Sequence, residues 1–232
     1  MNLPPIVSPE EWKAARERLL VKEKEHTRAG DALAAERRRM PRMLVEKEYR
    51  FEGPNGPASL LELFEGRRQL IVDRVFYEPG ITMFASEGDS YPERGCVHCS
   101  FGADQVAHPA HLNARDTTLA RVSRAPQAEI QGLKEHMGWQ LIPWYTITDD
   151  FDADFDVDEW HGTNAFYRDD DDRIYRTYFI NERGDEAMGS TWAYLDMTAL
   201  GRQEEWEDSP EGYPQTPPYG WQNYHDAYGD SA

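Results

Sequence analysis

One run constrains the fold of this chain more than any other: Gln69-Leu70-Ile71-Val72-Asp73-Arg74-Val75-Phe76-Tyr77. A mostly apolar stretch bounded by polar residues reads as a buried central strand, which needs layers packed on it. The neighbouring segments supply candidates. Ser59–Phe64 reads as a short helix and Thr118–Ser123 as a strand. Gln127–Met137 is amphipathic through Ile130, Leu133 and Met137, with Gly138 placed to end it. Trp139–Ile147 reads as extended, and Asn164–Arg168 with Ile174–Asn181 as a hairpin around Asp169–Arg173. Met43–Phe51 alternates enough for one further strand, followed by the turn residues Gly53–Pro57. Strand–helix alternation ending in an antiparallel hairpin predicts an α/β protein, a mixed sheet with helices on both faces.

The ends read differently. Ser8, Pro9 and Glu11 form a capping-box start, and Trp12, Ala15 and Leu19 recur at helical spacing. This N-terminal helical arm (1–41) is expected to break at Gly30-Asp31, resume through Arg39 and stop at Pro41, with its apolar face on the domain or on a partner subunit. The domain proper is expected over 42–203, with a last helix over Leu195–Gln203. Beyond it, 204–232 is rich in Pro, Gly, Trp and Tyr and reads as an ordered extension lying on the surface.

A long loop from Glu78 delivers the chain to Gly95-Cys96-Val97-His98-Cys99-Ser100, which holds the only two cysteines. Neither a framework of several bridges nor a four-sulfur zinc site can be built from them. The spacing suits a reversible disulfide. A first cysteine capping a helix is favoured as thiolate by the free N–H groups there, and the second, one turn on, can resolve a mixed disulfide. Under that reading Cys96 is the nucleophile, Cys99 the resolving thiol, and His98 a cationic or hydrogen-bonding neighbour that stabilises the reduced form. Arg94 and Arg124 are the nearest basic residues in sequence. The rival is a metal site from Cys96, Cys99, His108 and His111, spaced C-x2-C-x8-H-x2-H. A peroxidase would need Thr or Ser three residues before the cysteine and proline four further back, where Glu93 and Asp89 stand. Nucleophile-elbow, Walker and dinucleotide fingerprints are absent from the sequence.

A formal charge of -18 repels nucleic acid and anionic membranes, so neither is expected as a partner. The acidic runs Asp149–Asp158 and Asp169–Asp172 lack an EF-hand pattern and read as solvated loops. No segment is apolar for long enough to span a membrane, and Met1–Val7 lacks signal-peptide character, so a cytoplasmic location is expected. Trp139, Trp144, Tyr145, Trp160, Trp192 and Tyr194 could line a small-molecule pocket but read better as core or interface.

Several blocks resemble a thioredoxin-like family of predicted dithiol-disulfide oxidoreductases, catalogued as a domain of unknown function. They are Ser59–Leu70, Gly95–Phe101, His111–Asp116, Ser123–Pro126, Met137–Trp139 and Tyr194–Gln203. The resemblance implies a thioredoxin-like fold and a redox role, with no substrate attached. Two positions depart from it. Val97 stands where proline is expected after the first cysteine, and Gly162-Thr163-Asn164-Ala165 lacks the cis-proline common in such oxidoreductases. That proline holds a substrate backbone against the disulfide, so its absence argues against general protein-disulfide exchange. The expected protein is a thiol-disulfide oxidoreductase cycling Cys96–Cys99 without a cofactor. Its partners would be a thiol or disulfide substrate and an electron donor, and homodimerisation is reasonable. The alternative is a Cys/His metal-binding or small-molecule-binding protein without redox catalysis.

Overall fold

The computed structural model describes residues 4–78, 82–83, 95–106, 108–155, 157, 161–198, 200–225 and 227. The chain begins with helix α1 (Pro9–Arg37), then β1 (Met43–Leu44), β2 (Arg50–Gly53), β3 (Gly56–Ser59), a 3-10 turn over Glu62–Phe64, and β4 (Gln69–Arg74). There follow β5 (Thr82–Met83), β6 (Gly95–Cys96), α2 (Val97–Ala103), α3 (Pro109–Asn113), β7 (Thr117–Ser123), α4 (Gln127–Met137), β8 (Trp144–Ile147) and α5 (Phe151–Asp154). The hairpin β9 (Gly162–Arg168) and β10 (Ile174–Ile180), a 3-10 segment over Glu182–Met188 and α6 (Ser190–Leu195) complete the order.

Eight strands form one mixed sheet in the order β1-β10-β9-β4-β7-β8-β2-β3. Strand β4 is central, as its apolar run implies. It pairs in parallel with β7 and antiparallel with β9, Val72 lying between Ala120 and Asn164. Because side chains alternate across a strand, β4 presents Leu70 and Val72 to one face and Ile71 and Asp73 to the other. The first face joins Phe51, Ala120, Val122 and Phe166 to Leu63 and Phe64 of the 3-10 turn and to Phe151 and Phe155 beside α5. On the other face Trp144 donates to Ser123 Oγ at 3.0 Å and shares a second core with Val97 of α2 and Ile130, Leu133 and Met137 of α4. The result is an α/β fold, a mixed sheet with helices on both faces.

Several local expectations change. Helix α1 runs unbroken through Gly30. A helical glycine costs about 1 kcal/mol, too little to break a segment flanked by alanines and long charged side chains. No residue of α1 is buried, and Trp12 and Leu19 are exposed, so the arm does not lay its apolar residues on the domain. One contact lies at its C-terminal end, where Arg37 sits over the Tyr178 ring at 4.8 Å. Met43–Phe51 is not one strand. Strand β1 pairs with β10 and β2 with β8, at opposite ends of the sheet, and Val45 and Tyr49 on the connecting path pack into the first core. The pattern also hid the β2–β3 hairpin, whose Gly56 takes φ +109°. Of Trp139–Ile147 only the last four residues form a strand. The last helix comes earlier than expected, at Ser190–Leu195.

The acidic run after β8 is less solvated than expected. Asp152 accepts from Arg74 and Arg124, Asp154 from Lys47 and Tyr49, and Asp149 from the Arg50 N–H. Asp156 and Asp158 lie outside the described residues. The second run, Asp169–Asp172, is an exposed hairpin turn in which Asp169 Oδ1 accepts from the N–H groups of Asp171 and Arg173. The extension beyond Glu204 does not stay on the surface. Glu204, Gln222 and Tyr224 are buried, and Tyr224 belongs to the second core.

Candidate functional site

The cysteines are placed by the residues that continue β4. Val75, Phe76 and Tyr77 are buried beyond the strand's last pair. The Cys96 N–H donates to the Phe76 carbonyl at 2.9 Å, and the Phe76 N–H donates back to Cys99 Sγ at 3.4 Å. Gly95 makes that approach possible. Its φ is +76°, and a Cβ there would fall 2.6 Å from the Phe76 carbonyl oxygen. From the other side the Tyr224 hydroxyl donates to the Gly95 carbonyl at 3.2 Å.

Cys96 is the N-cap residue of α2 and Cys99 lies one turn in, both as free thiols. A hydrogen bond from the Cys99 thiol brings the Cys96 pKa down to about 7, aided by the backbone N–H groups of Cys99 and His98 and by the nearby His161, against the opposing effect of burial. Cys99 moves the other way, well above the ordinary thiol value, because it gives its proton to that hydrogen bond, is buried and lies near Asp73. The two thiols are thus differentiated, Cys96 lowered and Cys99 raised.

The His98 side chain is engaged by the C-terminal extension. Its Nδ1 is 2.7 Å from Gln222 Oε1, its ring lies 5.3 Å from that of Tyr219, and burial lowers its pKa below the usual imidazole value. Arg124 binds Asp152 rather than the cysteines, and Arg94 lies outside the described residues.

Two further groups complete the site. His161, just before β9, has Nδ1 3.4 Å from Asp185 and favours the Cys96 thiolate electrostatically. Asp73, on the β4 face opposite the apolar core, lies 3.5 Å from Arg121 Nε. Burial raises its carboxyl above the ordinary range more than Arg121 lowers it. Sequence reasoning missed both. Asp73 carried a signal, an acid inside an apolar central strand; His161 carried none, since only the fold brings it to Cys96.

The cysteines border a cavity of about 920 Å³, walled by Ile71 and Leu119 from the sheet and by Met188, Trp192, Tyr219 and Gln222 from the chain's last third. Of the aromatics singled out in the sequence, Trp139, Trp144 and Tyr145 pack in or against the two cores, Tyr194 is exposed, Trp192 borders the cavity and Trp160 lies outside the described residues. His108 and His111 do not join the cysteines. His108 caps α3 through the Ala110 N–H, and among the described residues neither histidine borders the cavity. Also among the described residues, no group of three or more His, Cys, Asp or Glu is placed to hold a metal ion.

A family model described as bacterial protein of unknown function (DUF899) matches residues 1–228. The chain belongs to the DUF899 family. No curated protein matches this DUF899 chain. Among solved structures it is similar to a thiol:disulfide interchange protein from Bacteroides sp., at 14% identity and TM-score 0.40 over 72% of this chain and 95% of that one. It is also similar to a yeast mitochondrial 1-Cys peroxiredoxin, at 14% identity and TM-score 0.36 over 68% and 78%. Likeness at that level does not reach the chemistry of a DUF899 protein, which rests on this chain's own residues. No described helix is long and apolar enough to cross a membrane.

Proposed function

We propose that this DUF899 protein is a thiol-disulfide oxidoreductase that cycles Cys96 and Cys99 between dithiol and disulfide. The observation that carries the reading is the unequal pair itself: Cys96, at the helix start, has its pKa lowered to about 7 by a hydrogen bond from Cys99, which is raised. The Cys96 thiolate attacks a substrate sulfur, forming a mixed disulfide and releasing one thiol. Cys99 then gives up its proton, attacks Cys96 and releases the second thiol. Asp73, whose carboxyl is raised by burial and whose charge acts on Cys99, is the base available for that proton. His98 acts through its backbone N–H and by anchoring Gln222.

A working dithiol suits the cytoplasm, where thiols are kept reduced. The exposed Trp12, Leu19 and Val21 of α1 support a homodimer in which the arm meets a second copy, with 42–203 as the domain and 204–232 as its extension. The test of the redox reading is the Cys99→Ser variant, reduced and freed of reductant, challenged with the linear bis(2-hydroxyethyl) disulfide. A mixed disulfide on Cys96 should accumulate by intact mass where the wild-type chain passes on to the Cys96–Cys99 disulfide, and a variant that gathers no adduct, or a wild type that stops at the adduct, would overturn it.

A further inference from the structure

We infer that the substrate of this site is a compact, uncharged organic disulfide with an apolar body and hydrogen-bond acceptors, bound inside the cavity, rather than a disulfide of a folded or extended protein. This rests on the redox reading above and adds the substrate class.

Three observations carry it. The first is access. Cys96 is 7% exposed and borders a half-open cavity rather than a flat surface along which a polypeptide could lie. The space, about 920 Å³, is at the upper end of what small-molecule sites occupy.

The second is the character of the wall. Ile71, Leu119, Met188 and Trp192 contribute apolar surface. The inner charges are already matched within the chain: Asp73 with Arg121, Asp185 with His161, and Glu186 with both Arg202 and the Tyr219 hydroxyl. An ionic substrate would find no unmatched counter-charge among these and would have to be desolvated, which is costly.

The third is a pair of orphaned donors. Among the described residues, Trp192 Nε1 and Gln222 Nε2 are buried without hydrogen-bond partners, and both residues border the cavity at 8% and 5% exposure. Buried donors are ordinarily satisfied, so a ligand bearing acceptors would complete them. Both are held in place. Gln222 Oε1 meets His98 Nδ1 at 2.7 Å, and Gly189, where a Cβ would fall 2.0 Å from the Trp192 ring, lets the indole press against the turn before α6.

For a disulfide RS–SR, the Cys96 thiolate attacks one sulfur, the substrate S–S bond breaks, and RS⁻ leaves and is protonated to RSH. Cys99 loses its proton to Asp73, attacks Cys96 Sγ and expels the second RS⁻, which takes that proton. Two electrons pass from the protein dithiol to the substrate, giving two RSH and a Cys96–Cys99 disulfide that a dithiol reductant returns to the starting state.

The experiment uses the full chain, reduced and freed of reductant, with 4,4′-dithiodipyridine as probe. Its two ring nitrogens are acceptors and it releases a coloured thiopyridone. Rates are expressed relative to those of N-acetylcysteine with the same oxidant, and oxidation by insulin is followed in parallel. Gly102 supplies the decisive variant. It lies on α2 at the cavity wall, and a Cβ built there meets nothing within 4 Å, so Gly102→Leu fills the space without a backbone clash. Expected are a relative rate with the pyridyl disulfide at least tenfold above that with insulin, and at least a tenfold loss in Gly102→Leu with an unchanged pair potential in dithiothreitol buffers. Trp192→Phe and Gln222→Leu should each lose about threefold to tenfold. Insulin reacting as fast as the pyridyl disulfide, or rates indifferent to all three substitutions, would overturn the inference while leaving the redox reading intact. A wild-type pair that forms no reversible disulfide in dithiothreitol buffers would instead overturn the reading, and the inference with it.

Discussion

The two faces of the central sheet are built from the same strands and do opposite things. On one, Leu70, Val72, Ala120, Val122 and Phe166 close against Phe51, Phe151 and Phe155, every one of them 2% exposed or less. On the other, Asp73, Arg121 and Thr163 stand among Ile71 and Leu119, and Asp73, Thr163, Ile71 and Leu119 border an open cavity. A packed face supplies stability through apolar burial. A face with charges and unfilled volume sacrifices some of that stability and gains a site. Dividing the labour between faces lets the cysteine side tolerate a void that would be costly in the core.

The comparison breaks most sharply at Cys96. Cys96→Ser should abolish disulfide turnover, by about a thousandfold or more, since the nucleophile is lost. Its melting transition should move little, and a large loss of stability in the reduced protein would show that the site side also holds the fold. Next in size is the packed face. Phe151→Ala should cost about 3–5 kcal/mol in urea unfolding with no change in the pair's potential. A shifted potential would mean that the two faces are coupled.

Asp73→Asn sharpens the view of the site side. Resolution of a Cys96 mixed disulfide should slow about a hundredfold at neutral pH and recover at high pH, where hydroxide can deprotonate Cys99. A uniform slowing at all pH values would mark Asp73 as structural only. For Cys96 itself, alkylation of the reduced protein should rise with pH around a midpoint of about 7, because only the thiolate reacts. Folding lowers this thiol's pKa, so the reduced fold should also gain stability over the unfolded chain as pH climbs from about 7 toward 9, and lose it again as pH falls through 7. A midpoint at the free-thiol value would remove the distinction between the two cysteines. The smallest effect is expected at Tyr224→Phe, about 1 kcal/mol from the lost bond to the Gly95 carbonyl, with faster alkylation of Cys96 as the loop loosens.

What the sequence made legible follows the range of the interactions involved. The apolar run of β4, the α4 face ended by Gly138 and the β9–β10 hairpin are local patterns, and each emerges close to where it was read. So does the placement of Cys96 at a helix start. Features set by distant contacts were not legible. Met43–Phe51 looks like one alternating strand, but its ends pair with β10 and β2's partner β8, at opposite ends of the sheet. His161, Trp192 and Gln222 join the cysteines around one cavity only because the chain's last third folds back there. The seeming break at Gly30 failed for a different reason: helix propensity weighs less than the continuity of the flanking alanines.

The most direct measurement of the central claim is the reduction potential of the Cys96–Cys99 pair. The protein would be equilibrated in graded thiol–disulfide buffers, its thiols trapped and the masses counted. A reversible two-electron transition is expected between about −120 and −270 mV, shared by both cysteines and absent in Cys99→Ser. A pair that stays reduced across the whole range, or that oxidises only with loss of the folded state, would contradict it.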